Sequence, residues 1–339
     1  GQYDHEVKGL SVIKPYVGVM NDVPTDAAVM MVEQLANEGM VLSYGVCPRY
    51  SDIDTYHMAA SAIDMAVRRI IAVGGDPDRI AGLDNFCWPD PVQSKQTPDG
   101  YYKLAQLVRA NQALYDITTA YNVPCISGKD SMKNDSTRGG RKISIPPTLL
   151  FSALGRIEDI SMAITLAPQR SGDLLYAVGT TRNELGGSEY YAMLGMTGNH
   201  VPTVEPELAM RIYRTLARAI RMRLCDSAHT PALGGIAAAL VRKSIAGRVG
   251  IEVDLSRIPA ESGLSAEQLL FSESNSRFLV TVAPRNREAF ETLFADLPCA
   301  LIGRTIREDQ LKIMNGQQLL AELELENLIN AFKSGLNYD

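Results

Sequence analysis

Two rhythms of apolar residues run along this chain. Short, nearly unbroken apolar runs at 27–32, 40–44, 79–83, 147–154, 172–179, 277–282 and 300–302 have the length of buried strands, the first of them fitting the opening of a helix equally well. Between them, longer segments at 56–73, 101–121, 206–222, 236–245, 285–294 and 322–333 repeat apolar residues every three or four positions, as one face of an α-helix does. In the first of these, Ala60, Ile63, Val67, Ile70 and Ile71 share a side. Asp54 or Thr55 stands where an N-cap belongs, and Gly74-Gly75-Asp76-Pro77 supplies the stop. Residues 1–24, broken by Pro15, Gly18, Asn21, Asp22 and Pro24, read as an extended entry. The rhythm weakens across 155–170, so a boundary is expected near 158, dividing the chain into 1–158 and 159–339. Each part mixes strands with long helices, an α/β (α+β) class in which helices cover a sheet. A length of 339 residues suits two domains.

The candidate chemistry gathers at strand ends. Pro124-Cys125-Ile126 runs into Ser127-Gly128-Lys129-Asp130-Ser131, where a glycine, a cation, an anion and a hydroxyl follow one another. Gly128 lets backbone approach a phosphate, Lys129 can meet phosphate charge, and Asp130 can hold a metal. The run lacks the four-residue spacer of a P-loop, so the alternative is an ordinary strand-to-loop turn. Loops at 45–55, 84–90, 128–135 and 272–276 are the four candidate site segments, because function concentrates on loops set on rigid elements. Asp84 ends one predicted strand as Gly128 ends another; if the two strands are neighbours, the groups converge on one edge. Gly186-Gly187 and Gly234-Gly235 are either phosphate nests or close-packing turns. His57 falls on a polar helix position and reads as a surface group, and His229 before Thr-Pro is similar. No Ser/His/Asp order and no His-rich metal spacing is legible.

Bulk properties narrow the classes. A net charge of −6 argues against a broad nucleic-acid footprint, which needs a basic field. No apolar stretch reaches the ~20 residues of a membrane helix. Five scattered cysteines (Cys47, Cys87, Cys125, Cys225, Cys299), none in a C-x-x-C pair, point to a reducing, cytoplasmic setting. Gly1 reads as a residue left by tag cleavage, and the polar opening without Met reads as the continuation of a longer chain.

An ordered set of motifs resembles one family: Cys47-Pro48-Arg49-Tyr50 with Asp54-x-Tyr56, Gly74-x-x-Pro77, Asp84-Asn85-Phe86, Ser127-Gly128-Lys129-Asp130-Ser131-Met132, Glu184-Leu185-Gly186-Gly187-Ser188-Glu189-Tyr190 and Phe271-x-Glu273-Ser274-x-Ser276-Arg277. In order and spacing they resemble phosphoribosylformylglycinamidine synthase, of the aminoimidazole ribonucleotide synthetase superfamily, and specifically the second half of its synthetase part. The resemblance implies an N-terminal domain with barrel-forming strands and a C-terminal α/β domain. It implies an ATP- and Mg2+-dependent amidination of formylglycinamide ribonucleotide in purine biosynthesis, with ammonia from a separate glutaminase unit. Asp84, Gly128 and Lys129 are the implied ATP contacts, Ser131 the implied substrate or nucleotide contact, and Asp130 the implied metal ligand beside Lys129. Glu273, Ser274 and Asn275 correspond to the first half's substrate loop and so mark a pseudo-site that holds a structural nucleotide in long-form enzymes.

Departures from the family pattern define what this half lacks. The two histidines of the first half's Glu-Thr-His-Asn-His-Pro run fall at Cys47 and Arg49. Its Arg-Asp pair falls at Arg68-Arg69, a charge reversal at a metal ligand. Its Ala-His-Asp-x-x-Asp-Gly-Gly pattern becomes Ala228-His229-Thr230-Pro231-Ala232-Leu233-Gly234-Gly235. No catalytic residue is therefore expected here, and no cysteine has a nucleophile-elbow context. The expectation is a chain inactive alone, pairing with a missing first half, and forming a homodimer through the strands of 27–44 when isolated. The alternatives are a non-catalytic nucleotide-binding scaffold half and a kinase-like superfamily member such as a thiamine-phosphate kinase or selenophosphate synthetase.

Overall fold

The computed structural model describes residues 7–335. The first unit contains β1 (Ser11–Ile13), β2 (Tyr16–Val17), β3 (Val23–Pro24), β4 (Ala28–Met31), β5 (Gly39–Gly45), α1 (Thr55–Ala72), β6 (Ile80–Cys87), α2 (Gly100–Tyr121), β7 (Cys125–Ser131), β8 (Asp135–Arg138), β9 (Arg141–Ser144) and β10 (Thr148–Ile157). Six strands form one sheet in the order β1-β4-β5-β10-β6-β7, with only the β6–β7 pair parallel. β2–β3 and β8–β9 are separate hairpins. Asp54 caps α1, its Oδ1 accepting from the Tyr56 and His57 amides at 2.8 and 3.2 Å.

α1 is the central helix. It packs on β5 and β10, beside α2, and across the boundary on α4 of the second unit. Ala59, Ala60, Ala62 and Ala66 are all buried. These small residues let the helix lie against the sheet so closely that a methyl group at Gly45 would sit 1.9 Å from the Ala62 carbonyl oxygen. The sheet's other face is different. Along β5 the alternation buries Val41 and Ser43 and leaves Met40, Leu42 and Tyr44 at 42%, 57% and 53% exposure. An apolar run that predicts burial on both sides is thus covered on one side only.

The second unit contains β11 (Leu174–Val178), α3 (Glu189–Met193), α4 (Pro206–Arg221), β12 (Ser227–His229), α5 (Gly235–Gly247), β13 (Gly250–Asp254), α6 (Ala266–Phe271), β14 (Phe278–Val282), α7 (Arg287–Leu293), β15 (Cys299–Ile306), β16 (Gln310–Asn315), β17 (Gln318–Glu324) and α8 (Leu325–Ser334). Its sheet runs β12-β14-β11-β15-β13-β16-β17. Both faces of the central strands are covered. Leu175, Ala177 and Leu279 pack with Ile236, Ala239 and Leu240 of α5, whereas Tyr176, Val178 and Phe278 join the core shared with α4, α7 and the first unit. That explains the unbroken apolar runs at these strands.

Four expectations change. Loop 84–90 begins inside β6, and loop 128–135 begins inside β7, because backbone pairing carries both strands further than their side chains suggest. Loop 45–55 holds a 3-10 turn, Pro48–Asp52. The helix expected from 322 starts at Leu325, since 318–324 form β17. Of the extended entry, residues 1–6 lie outside the described residues, and the rest supplies three very short strands.

Candidate functional site

β7 ends the sheet order, so one side of it has no neighbouring strand among the described residues. Its parallel register with β6 sets Asp84 beside Gly128, Asn85 beside Lys129, Phe86 beside Asp130 and Cys87 beside Ser131. The convergence that depended on the two strands being neighbours therefore occurs. A methyl group at Gly128 would come within 2.8 Å of Asp84 Oδ1, so glycine leaves the space that the carboxylate occupies. Burial raises the Asp84 carboxyl above its usual range; a backbone hydrogen bond pulls it down, and the charge of Asp130 adds to the rise.

Strand alternation then separates neighbours in sequence. Asp84, Gly128 and Asp130 lie on the sheet face of Phe86 and Phe151, the helix-covered side. Lys129 and Ser131 lie on the opposite face, with Asn85 and the exposed Tyr44 and Leu154. One phosphate or one metal ion cannot take Lys129 and Asp130 together from a regular strand. Asp84 and Asp130 form the carboxylate pair. Among the described residues, no group of three or more His, Cys, Asp or Glu is placed to hold a metal. Two carboxylates suit Mg2+ only when phosphate oxygens or water complete the shell.

The segment beyond β7 is clasped to the end of β6. Trp88 N donates to Ser131 O at 2.9 Å and Asn134 N to Trp88 O at 2.9 Å. Ser131 Oγ donates to Asn134 Oδ1 at 3.0 Å, which turns the hydroxyl toward its own loop. Lys142 Nζ, on the basic tip that folds as the β8–β9 hairpin, lies 3.3 Å from Asp90 and 3.4 Å from Asp135.

The other predicted cluster is closed. Glu273 is 1% exposed and both its oxygens are engaged: Tyr50 Oη donates to Oε2, while Glu189 N and Gly234 N donate to Oε1 at 2.9 and 2.7 Å. Ser274 Oγ accepts from Arg182 N at 3.0 Å. Asn275 Oδ1 accepts from Arg68 at 2.7 Å, and its Nδ2 donates to Ser61 Oγ at 2.8 Å. Both glycine pairs are likewise engaged. Gly186 N and Gly187 N donate to the His200 and Thr197 carbonyls, and the anion at Gly234 is Glu273 itself. These are packing turns rather than open nests.

The family-divergent positions have structural partners. The Cys47 thiol is buried, pushed well up by burial and donates to Met58 O. Arg49 is half exposed beside Glu189. Arg68 is buried against Asp64, while Arg69 donates to Tyr44 O at 2.7 Å and lies over the Tyr44 ring. His229, read from sequence as a surface group, is buried: its Nδ1 pairs with Asp26 Oδ2 at 2.7 Å.

A feature that sequence reasoning missed is the buried hub at Asp64. It accepts from Arg68, from the hydroxyls of Tyr121 and Tyr213, and from Ser276 N and Oγ at 3.1 and 2.9 Å, joining α1, α2, α4 and the segment before β14. The available signal was a carboxylate on the apolar face of a helix with arginine four residues on.

Comparisons with known proteins agree with this architecture. Residues 24–157 match the AIR synthase related protein N-terminal domain, and residues 170–315 match its C-terminal domain. The phosphoribosylformylglycinamidine synthase subunit PurL of Thermococcus sibiricus is 34% identical over 307 residues, 91% of this chain and 39% of that protein. The Deinococcus radiodurans subunit is 30% identical over 342 residues, 99% of this chain and 43% of that protein. The chain thus spans about two-fifths of the length of the curated relatives it matches. Among solved structures, the Thermotoga maritima PurL complexed with FGAR superposes with a TM-score of 0.71 at 18% identity, covering 93% of this chain and 48% of that one. A chain of the HypE–HypF complex gives a TM-score of 0.65 at 14% identity, covering 88% of this chain and 92% of that one. With both domain signatures matched in order, this chain belongs to the AIR synthase related family.

Proposed function

We propose that this chain is the second synthetase half of a phosphoribosylformylglycinamidine synthase, supplying the ATP side of a site completed by another half. The observation that carries this reading is the β6–β7 edge: Asp84 in register with Gly128, and Asp130 on the same face of an edge strand. The carboxylates would hold Mg2+ on the nucleotide's phosphates, the metal supplying charge neutralisation during phosphoryl transfer. Gly128 leaves room for the Asp84 carboxylate, and Lys129 offers a cation on the other face. Ser131 reaches substrate only by releasing Asn134. Arg69 and Cys47 supply neither metal ligand nor base, so the catalytic groups come from the first half and ammonia from a glutaminase partner.

The exposed apolar face of β4, β5 and β10 supports pairing with that half. Met30, Met40, Leu42, Tyr44 and Leu154 are all more than a third exposed, an apolar patch of the kind that marks an interface. In isolation the same face joins two copies, and sedimentation at micromolar concentration tests this, a monomer counting against it. The location follows the purine enzymes' soluble, cytoplasmic setting; no described helix is long and apolar enough to cross a membrane.

The deciding experiment mixes the chain with a separately expressed first half, ammonium, ATP and formylglycinamide ribonucleotide. ADP release is expected only in the mixture. Turnover by the chain alone would overturn the reading. The scaffold alternative is favoured by the closed 272–276 loop. It predicts that Asp84→Asn in the assembled enzyme leaves turnover intact, whereas the ATP-side reading predicts its loss.

A further inference from the structure

A cleft of about 510 Å3 opens where the start of α1 meets the second unit. Ile53, Asp54 and His57 line it from the first unit, and Glu184, Val201 and Thr203 from the second. It shares no lining residue with the β6–β7 edge or the closed 272–276 loop. It also lies at the opposite end of α1 from Arg69. We propose that this cleft binds the primary ammonium group of a small organic amine.

Two acceptors left open define the ligand. Glu184 is 5% exposed. Its Oε1 accepts from Thr203 N at 2.8 Å and from Thr203 Oγ1 at 2.7 Å, which holds the carboxylate in the wall of the cleft. Its Oε2 is buried and has no hydrogen-bond partner among the described residues. A buried carboxylate oxygen without a donor is costly, so a donor is called for. From the first unit, His57 Nδ1 is in the same condition, buried and without a partner among the described residues. The Asp54 cap holds the His57 amide, and the imidazole stands edge-on to the Tyr56 ring with centroids 5.3 Å apart. With its proton on Nε2, that ring presents a second lone pair to the cleft.

The other charges around the cleft are already matched. Asp54 Oδ2 accepts from Arg109 at 2.5 Å. Glu261 lies 3.6 Å from Arg182 Nε, and Arg182 also donates to Glu205 at 2.5 Å. Glu184 makes no ion pair among the described residues, and the buried Arg277 directs its hydrogen bonds to Ser274 O, Thr181 Oγ1 and Ser272 O instead. The cleft therefore presents one unmatched negative charge and two acceptors. A primary ammonium carries one positive charge and three N–H donors. An anion would face Glu184 with Arg182 already committed. A divalent metal is disfavoured, because no group of three or more His, Cys, Asp or Glu among the described residues is placed to hold one. A free ammonium ion is about the size of a water molecule, whose share of volume is about 30 Å3, and fills little of the space. Ile53 and Val201 favour a hydrocarbon stem beside the charged head.

Titration of the 339-residue chain at constant ionic strength, followed by the imidazole 15N shifts of His57, tests this with propylammonium, ammonium and tetramethylammonium chlorides. Propylammonium is expected to bind one to one and to move the His57 Nδ1 resonance. Ammonium is expected to bind more weakly, and tetramethylammonium, which has no N–H, not at all. Glu184→Gln keeps a carbonyl oxygen for Thr203 and turns an NH2 toward the ligand, donor against donor. It is expected to weaken propylammonium binding by about tenfold or more. His57→Phe removes the other acceptor and is expected to cost about tenfold, testing the same cleft from the first unit if the Glu184 variant fails to fold. Ligand-free unfolding midpoints establish which variants are folded. Tighter binding of ammonium than of propylammonium would give the cleft to the free ion and overturn the proposal. Binding of tetramethylammonium as tight as that of propylammonium, undiminished affinity in either folded variant, or no binding of propylammonium each overturns it too. None of these outcomes bears on the ATP-side reading, whose residues lie elsewhere.

Discussion

Residues 127–131 and 272–276 are alike in sequence: each is a short polar run beside a strand, containing an acid and serines. In the fold they are opposites. The first lies on an exposed edge strand, with Asp130 and Lys129 free of hydrogen bonds or ion pairs among the described residues and Asp84 answering to its own backbone and to Asp130's charge. The second is buried, and its carboxylate, hydroxyl and amide are each committed to protein partners. Groups that remain open can serve a ligand; groups already satisfied hold the units together. The same residue types therefore predict binding at one place and stability at the other.

The largest effect should come from the hub that the closed loop joins. Asp64→Ala removes the partner of the buried Arg68, whose Nε already lacks one, and strips two tyrosine hydroxyls and Ser276 of their acceptor. A buried charge left alone costs about 3–5 kcal/mol, read as a fall in the urea midpoint or as failure to fold. Glu273→Gln is milder. Its Oε1 keeps the Glu189 and Gly234 amides while its NH2 takes the Oε2 place and donates to Tyr50 Oη, which leaves the buried phenol proton without its acceptor. The expected loss is about 1.5–3 kcal/mol by the same measurement. A change near zero in either variant would mean that the loop is not the clamp described.

Lys243 gives a pH-dependent version of the contrast. It is fully buried, and desolvation pulls its amine down from 10.5 to about 7. Between those values the unfolded chain binds a proton that the folded chain does not. The contribution to unfolding free energy therefore rises with pH from about 7 toward 10.5, with a limiting slope of about 1.4 kcal/mol per pH unit. Lys243→Met removes that increment, so the stability difference between variant and wild type should shift steadily in the wild type's favour as pH rises. Parallel curves would place a charged amine in the folded core.

Much of this organisation is legible in the chain, and the illegible part has a common cause. The helix of α1, its Asp54 cap and the burial of β11 and β14 follow from local periodicity. The strand character of Ser127-Gly128-Lys129-Asp130-Ser131 does not, because these residues have little β preference and are held extended by pairing with β6. Residues 322–324, Glu-Leu-Glu, read as the start of a helix over 322–333, yet pairing with β16 makes them the end of β17. Tyr50 and Glu273 meet across 223 positions, and Asn275 and Arg68 across 207, distances over which no local pattern carries information.

The smallest expected effect is the sharpest test of the edge itself. Lys129 and Asp130 are adjacent in sequence, and a loop would let both charges act on Asp84. A strand does not: Asp130 shares the Asp84 face and Lys129 projects from the other. Asp130's charge is among the causes that raise the Asp84 carboxyl, and Lys129 is not. Asp130→Asn should therefore lower the Asp84 pKa, and Lys129→Gln should leave it in place, as followed by carboxyl 13C shifts through acid. Both substitutions should change stability by less than about 0.5 kcal/mol, because neither exposed side chain is tied to the fold. A rise in the Asp84 pKa on removing Lys129 would show that the lysine reaches the Asp84 face. That result would restore a loop in which one ligand group could take Lys129 and Asp130 together.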